Sequence, residues 1–474
     1  MSDVEELIRS PASGIVARLR AGTLSPHDLL DALEQRVAAV NPAINALPTL
    51  CFERARAEAS RLLDLPLAER GILAGLPIPI KDLTAVAGVR TTQGSPIFAD
   101  TIPDESDILV ETLERSGGIV YAKSNTPEFG AGAQTFNEVF GTTRNPWNLS
   151  RSVAGSSGGA AAALASGMAW LAHGSDMGGS LRNPASFCGV VGLRPSPGRV
   201  ATTPGSVIDD TLSVEGPMAR NVADVALMLD AMTGAHGRDP RSRTHVGASF
   251  AAAAAAKQAP KRVAFSATLG ITPVDPEVAG ICRRAAHDFV DAGVIVEEAH
   301  PDLSEAHECF QTLRALNFAI GLGGLYDSHR SLLKPEVIWN VEQGLKLTSR
   351  DIARAQAQRA VLYQRMATFF ETYDLLLCPA TITAAFPAEQ RYLAECDGHR
   401  FETYIDWLAI VYAITLVSSP AISIPAGFTA EGLPVGLQIV ARPQAEAELL
   451  SAAAVLEQVL NLGPITPIDP RAGA

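Results

Sequence analysis

The chain of 474 residues is acidic, with 38 Lys and Arg against 51 Asp and Glu and a formal net charge of −13 at pH 7. Because no basic stripe offsets this charge, the sequence argues against a nucleic-acid partner and against binding to an anionic membrane surface. The opening residues MSDVEELIRS lack the basic, apolar pattern of a secretion signal, and no apolar run reaches the ~20 residues that a membrane span needs. We therefore expect a cytoplasmic protein whose six widely spaced cysteines are reduced and mostly buried.

Helix-like and strand-like segments alternate along the chain. Before residue 70, three segments have apolar residues at three- and four-residue spacing, and Ser25-Pro26 is a start signal for the second helix. From residue 71 onward, buried-strand and helix patterns alternate, which is typical of an α/β layered fold. Near the C-terminus, DLLLCPA, PAISIPAGF and LPVGLQIVA are predicted to be strands. We therefore predict an N-terminal helical region, residues 1–70, packed on a core formed by residues 71–474.

Four segments have compositions that carry further predictions. Residues 160–172, AAAALASGMAWLA, predict a buried helix between two glycine clusters, and the six alanines at 251–256 predict a surface linker. Residues 304–375 are predicted to be mainly helical, either as an insertion on the substrate side or as ordinary packing. Within this segment, residues 310–375 are candidates for the wall of a substrate pocket, together with residues 204–212.

The sequence lacks the patterns of several common chemistries. None of the nine histidines forms HxxxH or HExxH, and no Cys/His cluster has zinc spacing. Neither a P-loop nor a helix-opening GxGxxG occurs, so we expect no metal and no cofactor. Residues 155–159, GSSGG, fit the GxSxG motif of α/β-hydrolases with Ser157 as nucleophile. That alternative requires a preceding strand and a late catalytic histidine, whereas NPWNLSRSVA is a poor strand and His329 and His399 stand in solvated contexts.

A lysine and two Ser/Gly-rich clusters indicate a different hydrolase chemistry. Lys81 follows the apolar run LPIPI, which would carry it into the interior, where burial lowers the pKa of an amine. A neutral lysine can act as the base for a serine hydroxyl, which is a weak nucleophile by itself. The glycines of residues 174–180, GSDMGGS, indicate a backbone that approaches another group closely. The alternative is structural, since most lysines extend to solvent and serines at such junctions usually serve packing.

Taken in order, these segments resemble the core of the amidase signature family of Ser–Ser–Lys hydrolases, over nearly the whole chain. The resemblance rests on PIPIKD, AGSSGGAAAA and GSDMGGSLRNPASFCGVVGLRP, with 75 residues from Lys81 to Ser156 and 24 more to Ser180. It implies an α/β fold in which a large central mixed β-sheet is flanked on both faces by helices. One departure is Ala154-Gly155, where the family usually has two glycines.

The resemblance also implies roles for the residues of the two clusters. Ser180 would be the nucleophile, Ser156 a bridging serine beside a cis peptide bond, and Lys81 the terminal base. Backbone N–H groups of Met177, Gly178 and Gly179 would form an oxyanion hole. Asp176 and Arg182 would be a charged pair that holds the loop. Ser157 and Ser175 would supply supporting hydroxyls.

The expected protein is an enzyme that cleaves the C–N bond of a small linear amide through an acyl-enzyme. Carbamates (urethanes) and esters are related substrates, because they pass through a similar tetrahedral intermediate. Members of this family that select acidic substrates can place a cation just after the nucleophile, whereas this sequence has Asn183 three residues after Ser180, so we expect a neutral substrate. The alternatives are the glutamine-hydrolysing subunit of a glutamyl-tRNA amidotransferase, which requires a second, partner subunit, and a non-catalytic binding protein on the same fold. The oligomeric state stays open between monomer and homodimer.

Overall fold

The computed structural model describes residues 3–472, which form 15 α-helices and 17 β-strands. The helices are α1 Asp3–Arg9, α2 Ala12–Arg20, α3 Pro26–Ile44, α4 Phe52–Leu63, α5 Ile108–Arg115, α6 Gly158–Ala165, α7 Arg182–Cys188, α8 Val222–Met232, α9 Phe250–Ala256, α10 Pro276–His287, α11 Ala306–His329, α12 Pro335–Leu345, α13 Ser349–Phe369, α14 Ala409–Leu416 and α15 Glu446–Leu460. The strands are β1 Thr49–Leu50, β2 Pro77–Lys81, β3 Ile119–Ser124, β4 Phe136–Asn137, β5 Gly141–Thr142, β6 Arg144–Asn145, β7 Asn148–Ser152, β8 Leu171–Asp176, β9 Val191–Arg194, β10 Val214–Ala219, β11 Arg262–Phe265, β12 Ile295–Glu298, β13 Leu375–Pro379, β14 Glu395–Cys396, β15 His399–Arg400, β16 Ala421–Phe428 and β17 Pro434–Ala441.

A mixed eight-stranded sheet forms the centre of the fold, in the order β12-β11-β13-β17-β16-β9-β10-β8. Strand β11 pairs in parallel with β12 and β13, and the remaining neighbours are antiparallel. Every residue of β13 and β17 is buried, as expected for strands covered by helices on both faces. The predicted α/β fold with a large mixed sheet flanked by helices is confirmed.

A three-stranded sheet, β1-β3-β2, lies next to the edge strand β8 and carries Lys81 at its end. Strand β2 pairs in parallel with β3, and β1 pairs with β3 in the antiparallel sense. The backbone N–H of Lys81 donates to Nδ1 of His173 on β8 at 3.3 Å. The carboxyl end of β2 therefore lies beside β8. Lys81 and residues 175–180 lie at or just after the ends of these two strands, whereas Ser156 and Ser157 lie just before helix α6.

Residues 3–70 contain four α-helices, one more than the three predicted segments because the sequence pattern does not predict α2, and α1–α3 share their core with the sheet. Ser25 accepts from the N–H of Asp28, and the Asp28 carboxylate accepts from the N–H of Ser25, which is a capping box with Pro26 in the first helical position. The predicted start of α3 is thus confirmed. Apolar residues of α1–α3 belong to the same buried cluster as the central strands. A boundary at residue 70 stays a prediction.

The helix predicted over residues 160–172 is shorter than expected. Helix α6 ends at Ala165, because Gly167 adopts a left-handed conformation with φ of 75° that ends the helical path. The chain then enters strand β8 at Leu171, so the last residues of the predicted helix are a strand. All of this segment is buried, as predicted.

The surface linker predicted at residues 251–256 is wrong, since these alanines lie in helix α9. Ser249 caps the helix by accepting from the N–H of Ala252, and the Asp230 carboxylate accepts from the N–H groups of Phe250 and Ala251. Alanine has the highest intrinsic helix propensity, and the buried ring of Phe250 fixes the helix on the core. The caps and this anchor explain why a helix forms.

The second half of the chain follows the predicted pattern of elements. Residues 304–375 are mainly helical, in α11, α12 and α13, and the buried strands predicted near the C-terminus are β13, β16 and β17. Within residues 3–472, no helix combines the length and the apolar character that a membrane crossing requires. All six cysteines are free thiols, and five of them are buried.

Candidate active site

Lys81 ends strand β2 with its amine enclosed among three serine hydroxyls. Its side chain is fully buried. The Nζ atom lies 2.7 Å from Ser156 Oγ, 2.9 Å from Ser157 Oγ and 2.9 Å from Ser175 Oγ. The structure therefore brings together the lysine and three of the serines singled out in the sequence.

The surroundings of Lys81 favour a neutral amine. Burial lowers the pKa of Lys81 to about 7, from a usual value of 10.5, while the negative charges of Glu215 and Asp176 act in the opposite direction. Desolvation dominates because an ammonium loses more hydration than a neutral amine when it is buried. Only the neutral form can accept a proton from a hydroxyl, so this lysine can act as a general base near neutral pH.

Ser157 joins the two glycine clusters of the sequence. Its N–H donates to the carbonyl oxygen of Ser180 at 3.1 Å, and its hydroxyl accepts from the N–H of Ser175 at 3.2 Å. The backbones approach so closely that a Cβ at Gly174 would lie 2.7 Å from Ser157 Oγ. The close approach that the glycines indicate is therefore between β8 and the start of α6.

Ser180 lies after β8 on the wall of a cavity that it shares with Ser156. The exposed fractions are 9% for Ser180 and 2% for Ser156. The peptide bond between Gly155 and Ser156 is cis, as the resemblance implies. Within the described residues, the Ser180 hydroxyl has no hydrogen-bond partner in the protein. The two hydroxyls thus face one cavity, with Lys81 behind Ser156.

Three backbone N–H groups after β8 are available to a ligand in this cavity. Met177, Gly178 and Ser180 line it, and in residues 3–472 their N–H groups donate to no protein acceptor. The N–H of Gly179 instead donates to Oδ1 of Asp176 at 2.9 Å. Of the three residues expected to form an oxyanion hole, Met177 and Gly178 therefore have available N–H groups within residues 3–472, whereas the N–H of Gly179 is engaged by Asp176.

Gly179 is required by the turn itself. Its φ is 95°, and a Cβ there would lie 2.5 Å from Val411 Cγ2 and 2.6 Å from Asn183 Oδ1. The nearest atom to a Cβ at Gly178 is Cζ of Phe310 at 3.4 Å, which is an ordinary contact. The two neighbouring glycines therefore have different functions, one in the turn and one in the cavity wall.

Asp176 and Arg182 form a fully buried ion pair that holds the loop between them. Nε and Nη2 of Arg182 donate to the two carboxylate oxygens at 3.0 and 2.8 Å, and the N–H of Leu181 donates to the same carboxylate at 3.1 Å. Burial alone would raise the pKa of Asp176, but Arg182 and Arg194 outweigh it and hold the pKa below its usual range. The described lining of the cavity includes neither partner, which fits the supporting role expected for the pair.

Two adjacent cavities lead to Ser180. The inner cavity has a volume of 90 Å³ and the outer one 620 Å³. Residues 205–207 line the outer cavity and helix α11 contributes to both, as the sequence predicts for these two segments. The residues common to the two cavities are Leu83, Phe129, Met177, Ser213 and Phe318.

Sequence reasoning missed two polar groups at the site. His173 lies two residues before Ser175 on β8, and its Nε2 is 2.7 Å from Oε2 of Glu215. The strand spacing of two could have identified it, because alternate residues of a strand share a face. Arg314, in the middle of α11, lines the inner cavity, and no motif marks it. Asn183 is buried and lines neither cavity, so the expectation of a neutral substrate loses its basis.

The α/β-hydrolase alternative is wrong. Ser157 is fully buried, and its hydroxyl contacts Lys81 rather than a histidine. The segment before it does contain a strand, β7, but this strand pairs with β6 in a separate two-stranded sheet. His329 and His399 are exposed. Among residues 3–472, no group of three His, Cys, Asp or Glu side chains is arranged to hold a metal ion.

Comparison with known proteins agrees with this geometry. A protein-family model described as Amidase matches residues 28–450. An acylamidase of Rhodococcus erythropolis is 38% identical over 466 residues, which cover 97% of each chain. A glutamyl-tRNA(Gln) amidotransferase chain of Moorella thermoacetica is 35% identical, over 92% of this chain and 93% of the relative. The solved structure of a bacterial aryl acylamidase has a TM-score of 0.87 and 26% identity, and the match covers 95% of this chain and 96% of that one.

The fold, the family model and the acylamidase relative make this chain an amide hydrolase. It belongs to the amidase signature family, and the resemblance noted in the sequence is confirmed.

Proposed function

We propose that this hydrolase cleaves linear amides, aryl amides foremost, with Ser180 as nucleophile, Ser156 as proton relay and Lys81 as base. The observation that carries the proposal is the 2.7 Å contact between Nζ of fully buried Lys81 and Oγ of Ser156, at the cavity that Ser180 lines. Aryl amides are favoured because an acylamidase and an aryl acylamidase match nearly the whole chain. Carbamates and esters are further substrates of the same mechanism.

In the first half-reaction, Ser180 Oγ attacks the carbonyl carbon of the amide. The proton of Ser180 passes to Ser156, while the proton of Ser156 passes to the neutral amine of Lys81. The tetrahedral intermediate collapses when the C–N bond breaks, and Lys81 returns its proton through Ser156 to the leaving nitrogen. The products are a free amine and an ester of Ser180.

The second half-reaction repeats this proton path with water. Water attacks the ester carbon, and its proton reaches Lys81 through Ser156. The bond from Ser180 Oγ to the acyl carbon then breaks, and the returned proton restores the hydroxyl of Ser180. In both halves, the negative oxygen of the intermediate accepts from the N–H groups of Met177, Gly178 and Ser180, each typically worth ~2.7–4 kcal/mol.

Initial rates with p-nitroacetanilide, followed by release of p-nitroaniline, test the assignment. Ser180→Ala, Ser156→Ala and Lys81→Met are each expected to lower kcat by about 10³-fold or more, because the three residues act as one unit. Ser157→Ala is the matched control, because it also removes a hydroxyl that contacts Lys81 but leaves the proton relay intact. It should lower kcat only in part. A Ser180→Ala enzyme that keeps a tenth of the wild-type rate would contradict the proposal, as would a Ser157→Ala enzyme as inactive as Ser156→Ala.

The second candidate is the glutamine-hydrolysing component of an amidotransferase, which the 35% identity to the Moorella thermoacetica protein favours. Such a component would hydrolyse glutamine, and faster once its partner subunits were added. We expect the isolated chain to hydrolyse p-nitroacetanilide, and added amidotransferase partner subunits to leave its glutamine hydrolysis unchanged. A sharp rise in glutamine hydrolysis on adding those subunits would favour the second candidate.

A further inference from the structure

Arg314 is a buried cation in the wall of the inner cavity, and in residues 3–472 no carboxylate pairs with it. Its exposed fraction is 7%. Nη2 donates to the hydroxyl oxygen of Tyr404 at 3.0 Å, whereas Nη1 is buried without a hydrogen-bond partner. The guanidinium lies 4.4 Å from the centre of the Phe318 ring. Arg314 is therefore held in place by neutral groups, and the N–H groups of Nη1 remain available to donate to a ligand.

The charges near Arg314 do not neutralise it. Burial lowers the pKa of Lys334 to about 8; the negative charges of Glu336 and Glu128 raise it, and the positive charges of Arg391 and Arg314 lower it, so all five groups are close enough to interact. Glu336 is already engaged by Arg391 at 2.7 Å. Glu128 accepts from the backbone N–H of Lys334 at 2.8 Å. Three cations thus face two carboxylates, and this side of the cavity is positive when all five are ionised.

The two cavities differ in size and exposure, which indicates where the acyl group and the amine of the substrate lie. During turnover the acyl group stays bonded to Ser180, while the amine has to leave. The outer cavity is the larger and is lined partly by exposed residues, such as Gly205 and Ser206, so it offers the exit for the amine. The acyl group then occupies the inner cavity, beside Arg314.

From this arrangement, and resting on the proposed function, we infer that Arg314 binds an oxygen acceptor on the acyl group of the substrate. The acceptor is a carboxylate or an amide carbonyl at the far end of that group. A buried guanidinium without a partner has lost hydration that nothing in the protein replaces, and a substrate oxygen would replace it with a charge-assisted hydrogen bond. An apolar acyl group of equal size would leave the cation unpaired, so Arg314 selects against it.

Three p-nitroanilides of matched shape test this inference: succinyl, succinamoyl and 4-methylpentanoyl, which end in a carboxylate, a carboxamide and an apolar isostere. For the wild-type enzyme we expect kcat/KM for at least one oxygen-ended substrate to exceed that for the apolar one by about tenfold or more. Arg314→Met is expected to bring this ratio to about one, and Arg314→Lys to restore part of it. The better of the two oxygen-ended substrates identifies the acceptor.

Arg391→Met is the matched control, because it removes a positive charge of the same cluster that lies outside the described cavity lining. It should change the ratio of kcat/KM values far less than Arg314→Met does, because the Arg391 guanidinium donates to Glu336. If Arg314→Met fails to fold, Tyr404→Phe removes the hydroxyl that holds Nη2 and should lower the ratio at least threefold. A wild-type ratio near one, or an Arg314→Met enzyme slowed equally on all three substrates, would overturn the inference.

The outcome is separable from that of the proposed mechanism. Calorimetric titration with succinamate measures binding to Ser180→Ala, which needs no turnover, and Ser180→Ala/Arg314→Met should bind at least tenfold more weakly. Equal affinity of the two proteins would overturn the role of Arg314 alone. A Ser180→Ala enzyme that still hydrolyses p-nitroacetanilide would overturn the nucleophile and leave the binding comparison intact.

Discussion

Protonation of Lys81 is expected to control the rate of hydrolysis between pH 6 and pH 8. With a pKa of about 7, the neutral fraction of the amine falls from about 90% at pH 8 to about 10% at pH 6. Because only the neutral amine accepts a proton, and its fraction falls from about 10/11 to about 1/11, kcat/KM should fall about tenfold over this interval and reach a plateau above pH 8. A lysine with its usual pKa of 10.5 would instead give a rate that rises tenfold per pH unit through pH 9, without a plateau.

Glu215→Gln tests whether the pH dependence of the rate is the titration of Lys81. The negative charge of Glu215 raises the pKa of Lys81 against the effect of burial, so its removal should move the midpoint of the pH profile to lower pH. The assay is the initial rate of p-nitroacetanilide hydrolysis at low substrate, from pH 5.5 to pH 9, with protein integrity checked by circular dichroism at each pH. Lys123→Gln is a matched control, because this second buried lysine lies outside the described cavity lining and should leave the midpoint in place.

Two results would refute this reasoning about Lys81. One is a wild-type kcat/KM that rises tenfold per unit up to pH 9. The other is a midpoint that Glu215→Gln leaves unchanged or moves upward.

Four further changes test other parts of the structure. The pKa of Lys81 is depressed in the folded state, so the unfolded chain binds more protons between pH 7 and pH 10.5, and the free energy of unfolding rises with pH there. In urea unfolding, Lys81→Met should lack ~1.4 kcal/mol per pH unit of this rise. If the variant shows the same rise with pH as the wild type, the burial of Lys81 is contradicted. Gly179→Ala should lower Tm by several degrees more than Gly178→Ala in calorimetry, because only the former meets a positive φ and a 2.5 Å contact; equal Tm values would count against the turn. Arg182→Met should cost about 3–5 kcal/mol in urea unfolding by leaving a buried carboxylate unpaired, and a cost below 1 kcal/mol would argue against the pair. Asp230→Ala removes the acceptor for two N–H groups of α9 and should cost ~1 kcal/mol, whereas no change would favour a linker without fixed structure.

The fold was predictable wherever local pattern and tertiary packing agree. The capping residues of α3 and the apolar runs of β16 and β17 specify their own elements, and the structure places them as predicted. The six alanines could not be assigned in this way, because what fixes α9 is the carboxylate of Asp230, some 20 residues earlier in the chain. Composition alone does not reveal such a cap.

The candidate site was likewise predictable from the sequence only in part. The contact of Lys81 with serines of both clusters follows from the motifs, because each motif places its residue at a strand end or a helix start. The composition of the cavity wall does not follow from the motifs, because Arg314 lines the cavity only as a result of how helix α11 packs near the loop after β8. The sequence also does not show that the N–H of Gly179 is engaged, because this depends on one side chain, Asp176, whose carboxylate accepts it.

The central claim is that the hydroxyl of Ser180 becomes bonded to the acyl group, and covalent labelling tests it most directly. The protein is treated with a fluorophosphonate, digested, and the modified peptide identified by mass spectrometry. We predict a single adduct on Ser180, present also in Ser157→Ala and absent from Ser180→Ala. An adduct on Ser156 or Ser157 of the wild-type protein, or a Ser180→Ala protein labelled as readily as the wild type, would contradict the account.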